Sequence, residues 1–128
     1  MDVCGLMSSA QASAINKVTY GAATAKQVTT GWDQCTYANT GTHADPIDIQ
    51  ALEVDVIDMP GCWTQLQTSQ GPGKAVSGVG DAAFGYQIGL AIKVGSRCID
   101  IQGLTHAEFS NDYAHDMAIA AIILPKLH

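Results

Sequence analysis

The sequence predicts an α+β fold: a single antiparallel β-sheet with helices packed mainly on one face, stapled by disulfides. Three observations point there. Ile88, Leu90, Ile92 and Val94 alternate with small or polar residues, Gly95-Ser96 interrupts, and Ile99 and Ile101 resume the alternation beside Cys98, Asp100 and Gln102. That is a hairpin with one apolar face, and two strands alone are marginal in water, so other elements must cover it. The helix-period stretches are not flanked by the long buried apolar strands of a βαβ crossover, which favours antiparallel pairing through short connections. Four widely spaced cysteines, at 4, 35, 62 and 98, supply the staples.

Taken in order, Ser8 and Gln11 have the spacing of a capping box, so a helix is expected from about Ser9 to Lys17, docking through Ala12, Ile15 and Val18. Gly21 to Gly31 is small and turn-rich, a loop or weak edge strand. Asp33 to Tyr37 has the β-branched and aromatic content of a strand, with Trp32 just ahead of it, and Asn39 to Asp45 reads as a turn. Pro46 to Asp58 is strand-like, but Ile47 and Ile49 are out of phase with Leu52, Val54 and Val56. A bulge is expected near Ala51, with Glu53, Asp55 and Asp58 pointing mainly to solvent. Asp58 reads as the N-cap of a second helix with Pro60 in its first turn. Met59, Cys62, Trp63 and Leu66 share a face of that helix, and Gly71-Pro72-Gly73 ends it. A short strand, Ala82 to Tyr86, precedes the hairpin. The final helix is expected to begin at Thr105, three residues before Glu108 as in a capping box, or at Ser110. Phe109, Tyr113, Met117, Ala120 and Leu124 form its apolar stripe, and Pro125 ends or kinks it.

At 128 residues, 47% hydrophobic and 14% charged, the chain is one globular domain spanning 1–128. Twelve acidic against six basic side chains give a charge of −6, which repels a phosphate backbone and argues against nucleic acid as a partner. No C-x-x-C or Cys-His cluster has zinc spacing, so the cysteines read as two disulfides, with three pairings open to four residues. Disulfides persist outside the cytosol, which implies an exported protein. Met1 followed at once by Asp2 reads as a start codon on a trimmed mature domain, so an export signal or lipid anchor is expected upstream. Such an anchor would be the protein's contact with a membrane, since the longest apolar run, Met117 to Leu124, is too short to span one.

Several of these pieces occur together in one family. Cys4-x-Leu6-Met7-Ser8 before an Ala-rich helix, a Cys35-x-Tyr37 strand, the segment Val76-Ser77-Gly78-Val79-Gly80-Asp81-Ala82-Ala83-Phe84, a hairpin and an Ala-rich terminal helix resemble the actinobacterial DUF3558-like secreted and lipoprotein domains. The resemblance runs over nearly the whole chain, and GVGDAAF is its most specific element. It implies an exported cell-envelope protein of α+β fold with Cys4 and Cys35 as a disulfide pair, leaving Cys62 and Cys98 as an additional one. It carries structural roles for Gly78, Gly80 and Asp81 and no particular activity.

Candidate chemistry is sparse. Glu108, Asp112 and His115 fall at i, i+4 and i+7 on the last helix, with Asp116 alongside and His106 near its start, a face able to hold a divalent metal or act as a general base; the alternative is a solvated polar face. Asp81 follows glycines that fit no phosphate-binding pattern, so it reads as a cap on backbone donors at a turn. There is no Gly-x-Ser-x-Gly elbow, the cysteines are committed to bridges, and no cofactor is implied. Trp32, Tyr37 and Trp63 are the candidate ligand contacts. The leading expectation is a non-catalytic extracytoplasmic module that binds a small ligand, envelope component or protein partner in a cleft between sheet and helices. The alternatives are a metal-assisted enzyme and a structural subunit of an oligomer.

Overall fold

The computed structural model describes residues 1–41, 51–103 and 113–127. Helix α1 (Ser9–Asn16) starts with the expected capping box: Ser8 Oγ accepts from the Gln11 amide while Gln11 Oε1 accepts from the Ser8 amide. Strands β1 (Thr24–Thr29), β2 (Trp32–Ala38) and β3 (Ala51–Ile57) precede helix α2 (Cys62–Gln70). Strands β4 (Lys74–Ala75), β5 (Ala82–Tyr86), β6 (Gly89–Val94) and β7 (Arg97–Gly103) follow, and helix α3 (Ala114–Ile123) comes last. Among the described residues every strand pairing is antiparallel, in one sheet ordered β1-β2-β3-β7-β6-β5-β4.

Strand alternation gives the sheet two chemically distinct faces. On the first, Cys35, Tyr37, Leu52, Val54, Val56, Leu90, Ile92, Ile99 and Ile101 are buried beneath the N-terminal segment, α1 and α3, which contribute Met7, Ala12, Ile119, Ala120 and Ile123. Each aliphatic side chain buried there contributes roughly 1.5–3 kcal/mol. Lys126 Nζ closes the layer by donating to the Leu6 carbonyl at 2.7 Å. Gly85 belongs to this face, and the Tyr113 ring lies where a Cβ on it would stand. On the second face Ile57, Phe84, Tyr86, Ala91 and Cys98 pack with Cys62 and Leu66 of α2. Two of the three α-helices among the described residues thus cover one face, as the hydrophobic phasing implies.

Residues 24–29, which read as loop or weak edge strand, form an edge strand exposed along its whole length, the second of those readings. Several other expectations need correction. Trp32 is the first residue of β2, not a residue ahead of it. Residues 51–57 pair with β2 in unbroken register, and the first half of the proposed bulged strand lies outside the described residues. Asp58 does not cap α2: Gly61, in the left-handed region at φ 79°, is the N-cap, and the Asp58 carboxylate instead pairs with Arg97 Nε at 3.6 Å. The last helix begins at Ala114 because Tyr113 sits at φ 53°, which a continuous helix through it forbids; the Thr105–Glu108 capping box lies outside the described residues. Asp55, expected in solvent, is 3% exposed.

Cys4 is bridged to Cys35 and Cys62 to Cys98, with Cα separations of 5.1 and 6.1 Å, and there are no free cysteines. The first bridge ties the 3-10 turn Val3–Gly5 to β2, and the second ties the first residue of α2 to β7. Loops of 31 and 36 residues correspond to about 3.7 kcal/mol each in the chain-entropy description. Thiol counting on the denatured, unreduced protein should find none. Replacing Cys62 and Cys98 together by Ser should lower the denaturation free energy by about 2–4 kcal/mol, measured by urea titration; an unchanged midpoint would show that the bridge adds nothing to stability.

Candidate functional site

The second face carries the chemistry. Register aligns Lys26, Gln34, Asp55, Asp100, Ala91 and Phe84 in one row across six strands, and Thr24, Thr36, Glu53, Gln102, Gly89 and Tyr86 in the next. Asp55 and Asp100 are therefore direct cross-strand neighbours, where like charges oppose each other. They are 3% and 2% exposed. Gln34 Nε2 donates to Asp55 Oδ1 at 2.9 Å, Tyr86 Oη donates to Asp100 Oδ1 at 2.5 Å, and Gln102 Nε2 donates to Asp100 Oδ2 at 3.0 Å. Gly89 makes the Tyr86 contact possible, because a Cβ there would stand 2.8 Å from the phenol oxygen.

Helix α2, held at its first residue by the Cys62–Cys98 bridge, lies over this face and separates two depressions. One is a polar recess of about 110 Å³ lined by Glu53, Asp55, Asp100 and Gln102 from the sheet, by Trp32 and Ile57, and by Gln65, Leu66, Ser69 and Gln70 of α2. The other is a groove of about 390 Å³ on the opposite flank of the helix, lined by Trp63, Gln67 and Gly71 and by Pro72, Gly73, Ala75, Ala82, Ala83 and Phe84. Trp63 and Phe84 pack at a tilt with ring centroids 5.4 Å apart, and Phe84 in turn meets Tyr86 at 6.1 Å.

Among the described residues no lysine, arginine or histidine lines the recess. Burial, reinforced by the neighbouring Asp55 and Asp100 charges, pushes the Glu53 carboxyl up to about 7; Lys26 opposes this weakly. Burial likewise raises Asp100 to about 7, against the hydrogen bond from Tyr86. Asp55 is raised for the same reason, although Gln34 bonds its charged form. The Tyr86 phenol is held protonated by burial and by Asp100. The indole N–H of Trp32 is buried without a hydrogen bond of regular geometry, and its influence falls on Asp55.

Of the predicted ligand residues, Trp63 lines the aromatic groove and Trp32 the polar recess. Tyr37 is on the opposite face, 1% exposed, its hydroxyl donating to the Met7 carbonyl at 2.7 Å; burial raises its pKa to about 12. An odd separation along β2 puts Trp32 and Tyr37 on opposite faces, so they share no site. His115 is exposed on α3, whereas Glu108 and Asp112 lie outside the described residues; among the described residues no three His, Cys, Asp or Glu side chains are grouped to hold a metal ion. Asp81 does cap backbone, but at the β6–β7 hairpin, where its Oδ2 accepts from the Gly95 amide at 2.6 Å.

The residues that sequence reading missed are Glu53, Asp55, Tyr86 and Asp100. A usable signal existed: Cys98 and Asp100 share strand parity, so a helix bridged to Cys98 must lie on the face that carries Asp100. Comparison with protein-family models, with curated proteins and with solved structures gave no match.

Because the folded-state pKa values of Glu53 and Asp100 lie above those of free carboxyls, the folded protein retains protons that the unfolded chain has released. Stability should be full below about pH 4, fall as pH rises toward 7, and level off above it. The slope is about 1.4 kcal/mol per pH unit for each group concerned. Thermal unfolding between pH 5 and 8 should show Tm declining, and Asp100→Asn should flatten the decline. A Tm that rises over this interval would contradict the assignment.

Proposed function

We propose that this chain is a non-catalytic, exported binding module whose ligand seat is the groove between α2 and the β4–β5 edge. The observation that carries the reading is the groove itself: about 390 Å³, with the partly exposed Trp63 indole against Phe84 and Gln67 as the polar group on its wall. Small-molecule sites commonly occupy roughly 300–1,000 Å³, are lined by aromatic and apolar side chains, and carry a few polar groups that fix orientation. A compact ligand with a flat apolar moiety suits this lining. The polar recess has room for only a few waters, each occupying about 30 Å³ in the liquid, and is a poor seat for a substrate.

Placement outside the cytosol is supported by the two disulfides, which persist in oxidising compartments. Among the described residues no helix is long and apolar enough to cross a membrane, which is compatible with that placement. The resemblance to DUF3558-like envelope domains belongs to the same proposal, and it would make the ligand an envelope component or a small molecule met there.

The apolar fluorophore 8-anilinonaphthalene-1-sulfonate should bind the native, disulfide-intact protein saturably at pH 5–6, and Trp63→Ala should weaken binding at least tenfold while Trp63→Phe retains most of it. Equal binding by the alanine variant, or none by the native protein, would remove the groove as the seat.

A further inference from the structure

We propose that the proton occupancy of the Glu53–Asp55–Asp100 recess is coupled through α2 to the shape of the aromatic groove, so that the groove is well formed while the carboxyls hold protons and loosens as they ionise. This rests on the groove being the ligand seat and adds its regulation.

The coupling follows from where α2 is held and where it is free. Its first residue is fixed to β7 by the Cys62–Cys98 bridge, and Cys62 and Leu66 are its buried side chains. Its N-cap makes no side-chain hydrogen bond, and from Gln67 onward the helix has no buried residue. That second half is a wall shared by both depressions: Ser69 and Gln70 roof the acid recess, while Gln67 and the following Gly71 line the groove. An element held at one end by a covalent bond and at the other by little buried apolar surface opens locally at low free-energy cost.

The charges around the recess give the direction. Glu53 and Asp55 project from β3 and Asp100 from β7, Asp55 and Asp100 being opposite each other. From β5 comes the neutral phenol of Tyr86. Lys26 of β1 stands at the exposed end of the row, beyond Gln34, and Lys93 of β6 pairs with Cys98 beside the pinned end of α2. Arg97 is engaged by Asp58, and Asp116 of α3 adds a negative influence on Tyr86. Helix α2 contains no ionisable side chain, its one cysteine being bridged. When the carboxyls lose their protons, no side chain of α2 compensates, and lifting the free half of α2 admits water to them. Each group released to water this way changes the opening equilibrium up to tenfold per pH unit between its closed and open pKa values.

Hydrogen exchange on the disulfide-intact protein between pH 5 and 8.5, expressed as protection factors, tests this directly. The amides of Gln67 to Gln70 should lose at least tenfold more protection between pH 6 and 8 than those of Ile99 and Ile101 at the centre of β7. The affinity for 8-anilinonaphthalene-1-sulfonate should fall over the same interval, and Asp100→Asn should reduce both changes. Should that variant not fold, the wild-type profile decides alone. Protection of α2 that is flat with pH, or that falls in step with β7, overturns the coupling even if the fluorophore binds. A fluorophore that fails to bind at every pH removes the ligand seat, and this proposal with it.

Discussion

Two carboxyl groups facing each other from the adjacent strands β3 and β7, with no cationic side chain among the described residues lining their recess, set the terms for one whole side of this protein. Like charges in a poorly solvated place cannot both be expressed without large cost, so protons and neutral donors must fill the gap. Gln34, Gln102 and Tyr86 do so from neighbouring strands, and the helix above them has only neutral side chains to offer. A helix laid over such a surface gains little from apolar burial, and the sulfur bridge at its start takes over part of the holding.

The opposite side of the sheet makes this arrangement sustainable. Its inward residues are apolar along β3, β6 and β7, and α1 and α3 close over them. Cohesion is concentrated there, leaving the α2 side to tolerate polar groups, a recess and an open groove. Domains commonly keep their least stable segments at the surfaces that meet ligands, since a site that must admit something needs a wall able to move.

Most of the architecture was legible from residue pattern. Ile88 to Gln102 gave the hairpin, Ala82 to Tyr86 its neighbouring strand, and Ser8 with Gln11 the start of α1, because alternation and capping are local properties of the chain. Residues 24–29 resisted assignment because an edge strand exposed on both faces has no apolar phase to read. Asp58 misled because a good capping residue lost to Arg97 and a left-handed Gly61. The site was far less legible. Placing Asp55 in solvent assumed a sheet with one bare face, and only the position of α2, fixed by a contact 36 residues away in sequence, turns that face inward. The aromatic character of Trp63 marks it in the sequence, whereas Phe84, which completes the groove, carries in the sequence only the signal of a strand residue.

The two bridges lie in series: Cys4–Cys35 closes before Cys62–Cys98 opens, so no covalent cross-link spans the backbone from Cys35 to Cys62. One proteolytic nick ahead of Ala51 would yield two separate peptides, one bearing α1, β1 and β2, the other everything from β3 onward. Side-chain packing, the seven-pair β2–β3 ladder and hydrogen bonds such as Lys126 to Leu6 and Gln34 to Asp55 would then hold them together. The fold is in that sense two internally clamped fragments zipped edge to edge, and the β2–β3 junction is the natural seam for splitting and reassembling it.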